Sequence, residues 1–334
     1  MEKRVRWGVI STANIGRAAV IPAIQASKNG ELAAVASRDE PKAAAFASRA
    51  GIPRAYGSYD ALLEDETIHA VYIPLPNSLH KEWVLRAARA GKHILCEKPL
   101  ALDAAECLDM QAAADECGVK LMEAFMYRFH PRTERVLSLV RGGALGELTA
   151  IQAAFTFRLQ DLSNIRYNRE LGGGALMDVG CYCVNIIRTL AGAQPLEVCA
   201  FANWAETGVD RQMSAILRFA NGLQAHFDCG LGAERRETYT AAGVEGHLDV
   251  PAAFLPGRED AQIFETHGRR GYSVHTLRGV DEYQTMVEHF ASCVLEDTLP
   301  RYSAAEAADN MRVIAALYRS ARRGGAPETV ENSN

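Results

Sequence analysis

The sequence lacks a long apolar run, a paired-cysteine motif and a concentrated basic face. Its most apolar stretch, around residues 175–193, is interrupted by Asp178, Asn185 and Arg188, which argues against a membrane-spanning helix. The formal net charge of −5 argues against a nucleic-acid-binding protein, because such proteins concentrate Lys and Arg on one face. We therefore expect a small-molecule partner, with no membrane and no nucleic acid involved.

None of the eight cysteines forms a C-x-x-C pair, and no group of His, Cys and carboxylate residues has the spacing of a zinc site. The sequence therefore predicts no metal ion. The first ten residues, MEKRVRWGVI, run directly into a predicted strand and do not show the pattern of a signal peptide. Reduced thiols are typical of the cytoplasm, so we expect a cytoplasmic protein.

The composition that remains is ordinary for a globular protein, with 48% hydrophobic and 23% charged residues in a chain of 334. This length is enough for two domains of about 150 residues each. In the first third, apolar runs alternate with helical patterns, which is typical of βαβ units and a parallel, doubly wound sheet. The predicted strands are 5–10, 32–37, 70–74, 93–96 and 120–124, and the predicted helices are 15–26, 42–49, 78–90 and 104–117. Residues 1–125 are therefore predicted to form a dinucleotide-binding Rossmann domain.

After about residue 125 the alternation ends, and strand-like segments follow one another. Helices are predicted at 130–141 and 175–190, and strands at 148–157, 197–204, 213–219, 223–229 and 238–242. The dipeptide Asn221-Gly222 lies between two of these strands and is a strong hairpin signal. We predict that residues 126–330 form an α+β substrate-binding and dimerisation domain with a large, mostly antiparallel open sheet. A helical segment at 304–322 is expected to pack back onto the body of the protein.

The stretch GVISTANIGRAAVIPAI (8–24) lies where a dinucleotide-binding strand, turn and helix would begin. The three glycine places of G-x-G-x-x-G fall on Ser11, Ala13 and Gly16, so the motif is degenerate. Small residues still allow the backbone to approach a pyrophosphate at a helix N-terminus, where amide groups favour an anion. A plain tight turn is the alternative. The predicted contacts to the cofactor in this loop are Ser11, Thr12, Ala13, Asn14 and Ile15.

The second predicted strand ends in AVASRDE, which carries information about the cofactor's ribose. A cofactor without a 2′-phosphate is typically held by an Asp or Glu at this strand end. Ser37 and Arg38 stand there instead, and a hydroxyl with a guanidinium suits a 2′-phosphate better. We therefore predict NADP, while Asp39, one residue later, keeps NAD possible.

The stretch HILCEKPL (93–100) places a carboxylate, an amine and a proline directly after a short buried strand. Proline cannot continue the sheet, so the chain must turn at Pro99. Lys98 is then presented just beyond a strand end, which is where open α/β sheets bind ligands. The alternative is an exposed loop lysine beside a turn proline.

The stretch RELGGGALMDVGCYCVN (169–185) places Asp178 and Tyr182 four residues apart, which on an α-helix gives a carboxylate and a phenol on one face. A phenol can relay a proton if a nearby ammonium lowers its pKa, and Lys98 could supply that ammonium. The alternative is a core helix with a capping carboxylate and a packed tyrosine.

Four motifs together resemble a known family. CEKP, PLPNSLHKE (74–82), EAFMYRFHP (123–131) and GGGALMDVGCYC are similar to motifs of the glucose–fructose oxidoreductase, inositol dehydrogenase and rhizopine-catabolism (Gfo/Idh/MocA) family, and the resemblance spans nearly the whole chain. Many members carry His where Tyr182 stands. The tyrosine form resembles the branch with glucose–fructose oxidoreductase, dimeric trans-dihydrodiol dehydrogenase and NADP-dependent D-xylose dehydrogenase.

The resemblance implies a Rossmann domain followed by a domain whose open sheet often forms a dimer face, and hence a homodimer or homotetramer. It implies that Lys98 and Tyr182 line the substrate with Asp178 beside them. On the argument from the strand end and the resemblance together, we predict a cis Lys98–Pro99 peptide. The other cofactor contacts that the resemblance implies are Pro74, Leu75, Pro76, Asn77, His80, Glu97, Lys98 and Arg166.

These observations predict an NADP-dependent oxidoreductase acting on a sugar or a cyclic polyol. Tyr182 would accept the proton of the reacting hydroxyl, and Lys98 would hold that oxygen. An aldose such as xylose or glucose, or a trans-dihydrodiol, is the expected substrate. A cofactor-sensing regulatory protein that turns nothing over is the alternative on the same scaffold.

Overall fold

The computed structural model describes residues 3–268 and 271–331. Its residue contacts divide the chain into two compact units, Met1–Met126 with Tyr283–Ala308, and Tyr127–Glu282 with Asp309–Asn334. The sequence predicts a continuous second domain over 126–330, whereas the contacts of Tyr283–Ala308 group that segment with the first unit.

The first unit contains, in the described residues, a six-stranded parallel sheet with the order β3-β2-β1-β4-β5-β6. This order reverses direction between β1 and β4, as in doubly wound dinucleotide-binding folds, and the predicted fold class is confirmed. The strands are β1 Val5–Ile10, β2 Gly30–Ala36, β3 Arg54–Tyr56, β4 Ala70–Ile73, β5 His93–Cys96 and β6 Leu121–Glu123.

The helices that connect these strands begin at residues suited to capping. Asp39, Ser58 and Asp103 each accept a hydrogen bond from a backbone N–H of the first turn that follows. A π-helical turn, Gly16–Val20, precedes α1 Ile21–Ala26, and a 3₁₀ turn, Asn77–Leu79, precedes α4. The other helices here are α2 Glu40–Ala50, α3 Tyr59–Leu63, α4 His80–Arg89 and α5 Ala104–Glu116.

The returning segment packs on the six-stranded unit through named contacts. The rings of Trp7 and Phe290 lie 5.6 Å apart, and both side chains are fully buried. The amide of Asn29 donates to the carbonyl of Glu288 at 2.8 Å. Burial of these rings explains why the segment belongs to this unit, and nothing in the local sequence pattern of residues 283–295 indicates which sheet it will cover.

The second unit contains, within the described part of the chain, a nine-stranded sheet with the order β14-β13-β12-β11-β7-β10-β9-β8-β15. Its neighbouring strands are antiparallel except for β7 and β10, which run parallel. The predicted mostly antiparallel sheet is therefore confirmed. The strands are β7 Leu148–Arg158, β8 Glu197–Trp204, β9 Asp210–Arg218, β10 Gln224–Gly230, β11 Gly232–Gly243, β12 Gly246–Pro251, β13 Ala261–His267, β14 Gly271–Leu277 and β15 Glu328–Thr329.

Short turns and four helices complete the fold. The hairpin predicted at Asn221-Gly222 joins β9 to β10, with Gly222 at φ +86°. Two 3₁₀ turns, Met126–Phe129 and Ile165–Tyr167, precede longer elements. A π-helical turn, Leu176–Gly180, leads directly into α7. The helices are α6 Pro131–Arg141, α7 Cys181–Ala191, α8 Glu282–Leu295 and α9 Ala304–Arg322.

Within residues 3–268 and 271–331, no helix is both long and apolar enough to cross a membrane.

Candidate functional site

The loop after β1 departs from a glycine fingerprint at its first position. Ser11 has φ +114°, a conformation that only glycine adopts easily, and its hydroxyl accepts a hydrogen bond from Ala13 N at 2.9 Å. Ser11 N donates to the carbonyl of Ala36 at 3.0 Å, which fixes the loop to the end of β2. Helical structure begins at Asn14, so the N–H groups of a first helical turn stand at the loop. This geometry suits the pyrophosphate of a dinucleotide.

The third glycine place is less restrictive than the motif suggests. A Cβ added at Gly16 would meet Tyr72 Cε1 at 3.7 Å and Pro74 Cγ at 3.8 Å, which are ordinary contacts. The restrictive position of this strand–turn–helix is Gly8, where a Cβ would lie 2.6 Å from Leu62 Cδ2. Packing inside the protein therefore requires a glycine in β1 and not at the helix start.

At the end of β2, two side chains make local hydrogen bonds and a third is exposed. Asp39 accepts a hydrogen bond from Lys42 N at 2.8 Å and so caps α2. Ser37 is buried, and its hydroxyl accepts from Asp39 N at 3.3 Å. Arg38 is exposed and lies against Tyr59. Burial raises the pKa of Tyr59, and the guanidinium of Arg38 opposes part of this rise. The only carboxylate of the Ser-Arg-Asp run is thus engaged in a cap, while the guanidinium is exposed.

The Glu-Lys-Pro turn follows β5, and the predicted cis Lys98–Pro99 peptide is confirmed. Glu97 is buried; its Oε1 accepts from the hydroxyl of Tyr72 at 2.6 Å and its Oε2 from Lys98 N at 3.3 Å. Burial raises the pKa of Tyr72 well above its ordinary value, and the charge of Glu97 adds to this. Leu100 N donates to Glu123 Oε1 at 2.8 Å. Two buried carboxylates therefore fix the backbone on both sides of Lys98.

His80 lies at the start of α4 and is fully buried, not on a helix surface. Its Nε2 lies 2.9 Å from the carbonyl of Leu75, and its Nδ1 lies 3.1 Å and 3.2 Å from those of Pro99 and Leu100. Burial lowers the pKa of His80, although these backbone contacts oppose the shift. The ring therefore joins the loop after β4, where Pro74, Leu75, Pro76 and Asn77 lie, to the turn that holds Lys98.

The triple glycine before the π turn lies where other protein atoms come very close to the backbone. Gly173 N and Gly174 N donate to the carbonyls of Asn168 and Arg166, both at 2.9 Å. A Cβ at Gly173 would lie 2.5 Å from the Arg166 carbonyl oxygen, and one at Gly174 would overlap a carboxylate oxygen of Asp210. Gly174 also has φ +126°. The glycines at these two positions therefore serve a steric purpose.

Asp178 lies in the π turn and pairs with Arg166. The distance from Arg166 Nε to Asp178 Oδ2 is 2.5 Å, and the guanidinium carbon lies 5.8 Å from the centroid of the Phe157 ring. The sequence predicts an α-helix across Asp178 and Tyr182, and the structure places Asp178 in the π turn and Tyr182 in α7. The side chain of Asp178 pairs with Arg166, a residue predicted for the cofactor side.

Tyr182 lies in α7 within a cluster of aromatic rings. Its ring centroid is 5.9 Å from that of Tyr127 and 5.3 Å from those of Phe155 and Phe254, and 5% of its surface is exposed. The hydroxyl of Tyr127 donates to Asn185 Oδ1 at 2.6 Å. None of these three neighbours was predicted as a site residue. Tyr127 lies within the motif EAFMYRFHP (123–131), whereas Phe254 follows β12, a strand that was not predicted.

Two further buried polar atoms adjoin this cluster. Glu237 pairs with Phe155 across β11 and β7, and Tyr239 packs on Phe254 with ring centroids 6.4 Å apart. Within the described residues, Glu237 Oε2 and the Tyr239 hydroxyl have no hydrogen-bond partner. Such atoms are costly unless they are hydrogen-bonded.

All eight cysteines lie in the described part of the chain as free thiols. Cys181 and Cys183 are buried. Among residues 3–268 and 271–331, no group of three or more His, Cys, Asp and Glu side chains could hold a metal ion.

Comparisons with known proteins place the chain in a family. Residues 5–125 match the model of an oxidoreductase family with an NAD-binding Rossmann fold, and residues 133–249 match the GFO/IDH/MocA C-terminal domain. The chain belongs to the GFO/IDH/MocA oxidoreductase family. Both the recognition of the family and the prediction of an oxidoreductase are therefore confirmed.

Curated members of the GFO/IDH/MocA family are similar over most of the chain. A D-xylose 1-dehydrogenase (NADP(+)) of Haloferax volcanii is 42% identical over 325 residues, covering 96% of this chain and 99% of that protein. A trans-1,2-dihydrobenzene-1,2-diol dehydrogenase of Mus musculus is 35% identical over 255 residues, covering 75% and 76%. The sugar and diol names agree with the substrate classes that the sequence predicts.

A solved structure of the family has the same fold. KijD10, a 3-ketoreductase from Actinomadura kijaniata in complex with NADP and TDP-benzene, has a TM-score of 0.90 at 32% identity and covers 95% of this chain and 98% of that chain. Solved variants of KijD10 replace one tyrosine by phenylalanine and one lysine by alanine. The prediction of NADP as the cofactor is confirmed by these relatives.

Proposed function

We propose that this protein is an NADP-dependent dehydrogenase or reductase that acts on the CH–OH group of an aldose or a cyclic diol. The observation that carries the proposal is the enclosure of Tyr182 by Tyr127, Phe155 and Phe254, which leaves a proton-transferring phenol in an apolar setting. Apolar rings of this kind also suit the faces of a sugar or a diol. The names of the xylose and dihydrodiol relatives support the same substrate classes.

On the cofactor side, the residues present fit NADP. The loop at Ser11–Ile15 would hold the pyrophosphate, and the exposed guanidinium of Arg38, with Ser37, would hold the 2′-phosphate. Oδ1 of Asp39 is engaged as the cap of α2, and the end of β2 is followed by Ser37 and Arg38 in place of an acidic residue. This arrangement supports the preference for NADP over NAD.

On the substrate side, the proposal assigns one role to each side chain. As a phenolate, Tyr182 accepts the proton of the reacting hydroxyl during oxidation, and the resulting phenol returns it during reduction. Lys98 holds the same oxygen and stabilises negative charge on it. Asp178, oriented by Arg166, accepts a hydrogen bond from a neighbouring hydroxyl of the substrate. The nicotinamide, when bound, supplies the redox chemistry, and the protein supplies position and electrostatics.

The KijD10 variants support the pairing of Lys98 with Tyr182. The lysine and the tyrosine replaced in those variants are separated by as many positions as Lys98 and Tyr182 are here. The two buried carboxylates on either side of Lys98 are further support, because they fix the backbone that presents the ammonium.

The experiment that tests this function is a panel of aldoses, inositols and trans-dihydrodiols, assayed with NADP+ and NAD+ and in reverse with NADPH. We expect NADP+ reduction with an aldose such as D-xylose or with a diol. Tight NADPH binding without turnover on any compound would contradict the proposal and identify a cofactor-sensing protein instead.

We also propose that the protein is a cytoplasmic homodimer that uses the outer face of its nine-stranded sheet. Phe201 on β8 and Ile216 on β9 lie on the same face, and their exposed fractions are 65% and 56%. Large exposed apolar side chains on a sheet are typical of interaction surfaces. Light scattering of the purified protein tests this, and a monomer at micromolar concentration would contradict it.

A further inference from the structure

Asp210, the first residue of β9, is fully buried and contacts the start of the Tyr182-bearing segment. Its Oδ2 accepts a hydrogen bond from Leu176 N at 2.6 Å, and its Oδ1 accepts one from the hydroxyl of Tyr318 on α9 at 2.7 Å. Leu176 is the first residue of the π turn that leads into α7. A carboxylate from a distant strand therefore caps a helical segment that has no side-chain cap of its own.

The glycine before this turn is shaped around the same carboxylate. A Cβ on Gly174 would overlap Oδ1 of Asp210 and would lie 2.9 Å from the Tyr318 hydroxyl. The backbone at Gly174 thus contacts both Asp210 and Tyr318. The carbonyl of Gly174 in turn accepts a hydrogen bond from Asp178 N at 3.0 Å. The contact joins Asp210 to Asp178 through one glycine.

The segment is also tied to Arg166 at two points. Gly174 N donates to the Arg166 carbonyl, and the Arg166 side chain pairs with Asp178. A shift of Leu176 would therefore move both the carboxylate of Asp178 and the first turn of α7, which contains Tyr182.

The position of Asp210 has an energetic consequence. Burial raises its pKa to about 6, although the bonds from Tyr318, Leu176 and Ala175 oppose the shift. Besides Tyr318, the titratable group that faces it is Cys229 on β10, a thiol whose pKa burial also raises. A carboxylate is thus kept where its ionised form is disfavoured, which is common at sites where position serves function.

We propose that Asp210, held by Tyr318, is a positioning residue that anchors the first turn of the segment 176–182 and so sets where Asp178 and Tyr182 stand. The anchoring itself is independent of the reaction. Its effect on turnover rests on the function proposed above.

The test uses the full-length protein with two variants and a matched control. Tyr318→Phe deletes only the hydroxyl that holds Asp210, and Asp210→Asn keeps the shape while removing the charge. Ser320→Ala is the control, because Ser320 lies on the same helix and its buried hydroxyl accepts from Ala200 N at 2.9 Å and donates to Ala326 O at 2.6 Å. Ser320→Ala removes two hydrogen bonds, against the one that Tyr318→Phe removes, and Ser320 does not contact residues 176–182 through either of them.

The first readout is amide hydrogen exchange, which needs no turnover. Loss of a hydrogen bond to a charged group corresponds to roughly a tenfold or larger change in opening, so the amides of residues 176–182 should exchange at least about tenfold faster in Tyr318→Phe and in Asp210→Asn. In Ser320→Ala they should exchange as in the wild type. Equal exchange in all three variants would overturn the anchoring.

The second readout is steady-state kinetics, in which kcat and KM are measured separately. A small misplacement of catalytic groups reduces kcat by up to about a hundredfold, so Tyr318→Phe should lower kcat about ten- to a hundredfold with unchanged NADPH affinity. Ser320→Ala should lose thermal stability yet keep kcat. Faster exchange with unchanged kcat would overturn the positioning role. A wild type that turns over no sugar or diol would instead contradict the proposed function, and the exchange data would still decide the anchoring.

Discussion

The two glycine-bearing loops of this protein differ in what enforces them. In the cofactor loop, Ser11 and Ala13 replace glycines, and the remaining Gly16 has room for a Cβ. In the triple-glycine loop, Gly173 and Gly174 leave no room, because a carbonyl oxygen and a carboxylate oxygen occupy the space. Protein atoms thus leave the glycine place of the first loop open to a side chain and close those of the second.

The comparison also separates two kinds of expected effect. Changes around the cofactor loop should alter cofactor affinity and leave the fold intact. Changes in the triple-glycine segment should alter kcat or the stability of the second unit, because this segment carries Asp178 and leads into Tyr182. The following predictions test that division.

The largest expected effect is that of Tyr182→Phe, which keeps the ring and deletes the hydroxyl. General acid–base groups typically contribute about 10²–10⁴-fold, so kcat should fall by that factor while NADPH affinity stays near the wild-type value. Tyr127→Phe is the matched control, because it deletes a hydroxyl from a neighbouring ring that bonds Asn185. It should lower stability by about 1 kcal/mol and leave most of the turnover. Similar kcat losses in both variants would show that Tyr182 is a packing residue.

Lys98→Met should be at least as damaging as Tyr182→Phe, since it removes the charge proposed to hold the reacting oxygen. If the two residues act as a unit, the double variant should be scarcely slower than the slower single variant. Independent, multiplicative losses in kcat would contradict a joint role.

Gly174→Ala should destabilise the fold. The positive φ and the overlap with Asp210 each cost about 1–3 kcal/mol, so a loss of about 2–6 kcal/mol in the free energy of unfolding is expected from urea titration. Gly192→Ala provides the control, because Gly192 ends α7 at φ +64° with no atom within 4 Å of the added Cβ. It should lose about 1 kcal/mol, the backbone contribution alone. Equal losses would mean that contact with Asp210 is unimportant.

The pH dependence of stability should carry the signature of Asp210. Its pKa is about 6 in the folded protein against an ordinary value of 3.8, so the folded state binds more protons than the unfolded state between these values. Stability therefore falls as pH rises through this window, and Asp210→Asn lacks the effect. The difference in unfolding free energy, wild type minus variant, should grow by about 2 kcal/mol from pH 7 to pH 4. A difference independent of pH would contradict the raised pKa.

Arg38→Ala should weaken NADP+ binding. A hydrogen bond to a charged group is worth about 1.5–3 kcal/mol, which corresponds to a ten- to a hundredfold loss measured by fluorescence titration. NAD+ binding should barely change. Arg49→Ala removes the same charge from the far end of α2 and should affect neither cofactor. Equal weakening of NADP+ and NAD+ by Arg38→Ala would show that this guanidinium does not contact the 2′-phosphate.

The sequence contained the local part of this fold and of this site. Strand–helix alternation predicts the parallel sheet, and the Glu-Lys-Pro turn predicts the end of a strand. These features depend on neighbouring residues, whose spacing the sequence shows directly. The cis peptide at Pro99 was predicted from the strand end and the family resemblance together. The π turn at Leu176–Gly180 was not predicted, because it depends on where the chain before it is anchored.

The features that the sequence did not reveal are contacts between distant segments. Asp210 and Tyr318 are separated from Leu176 along the chain, and neither belongs to a motif. Phe254 packs on Tyr182 from a part of the chain where no strand was predicted. The return of residues 283–308 to the first unit is of the same kind. A single sequence shows period and spacing, whereas these contacts depend on how the sheets order their strands.

The smallest expected effect is that of Gly16→Ala, and it tests the comparison most directly. The added Cβ would make ordinary contacts with Tyr72 and Pro74, and Gly16 has no positive φ, so the backbone is not strained. Alanine favours helix over glycine by about 1 kcal/mol, so the variant should be as stable as the wild type or slightly more stable. Gly8→Ala is the control in the same strand–turn–helix, because its Cβ would lie 2.6 Å from Leu62 Cδ2, and it should be destabilised. If Gly16→Ala folds normally but loses NADP+ binding, the cofactor and not the protein requires this glycine. The loop would then be as restrictive as the triple-glycine segment, with the ligand in place of Asp210.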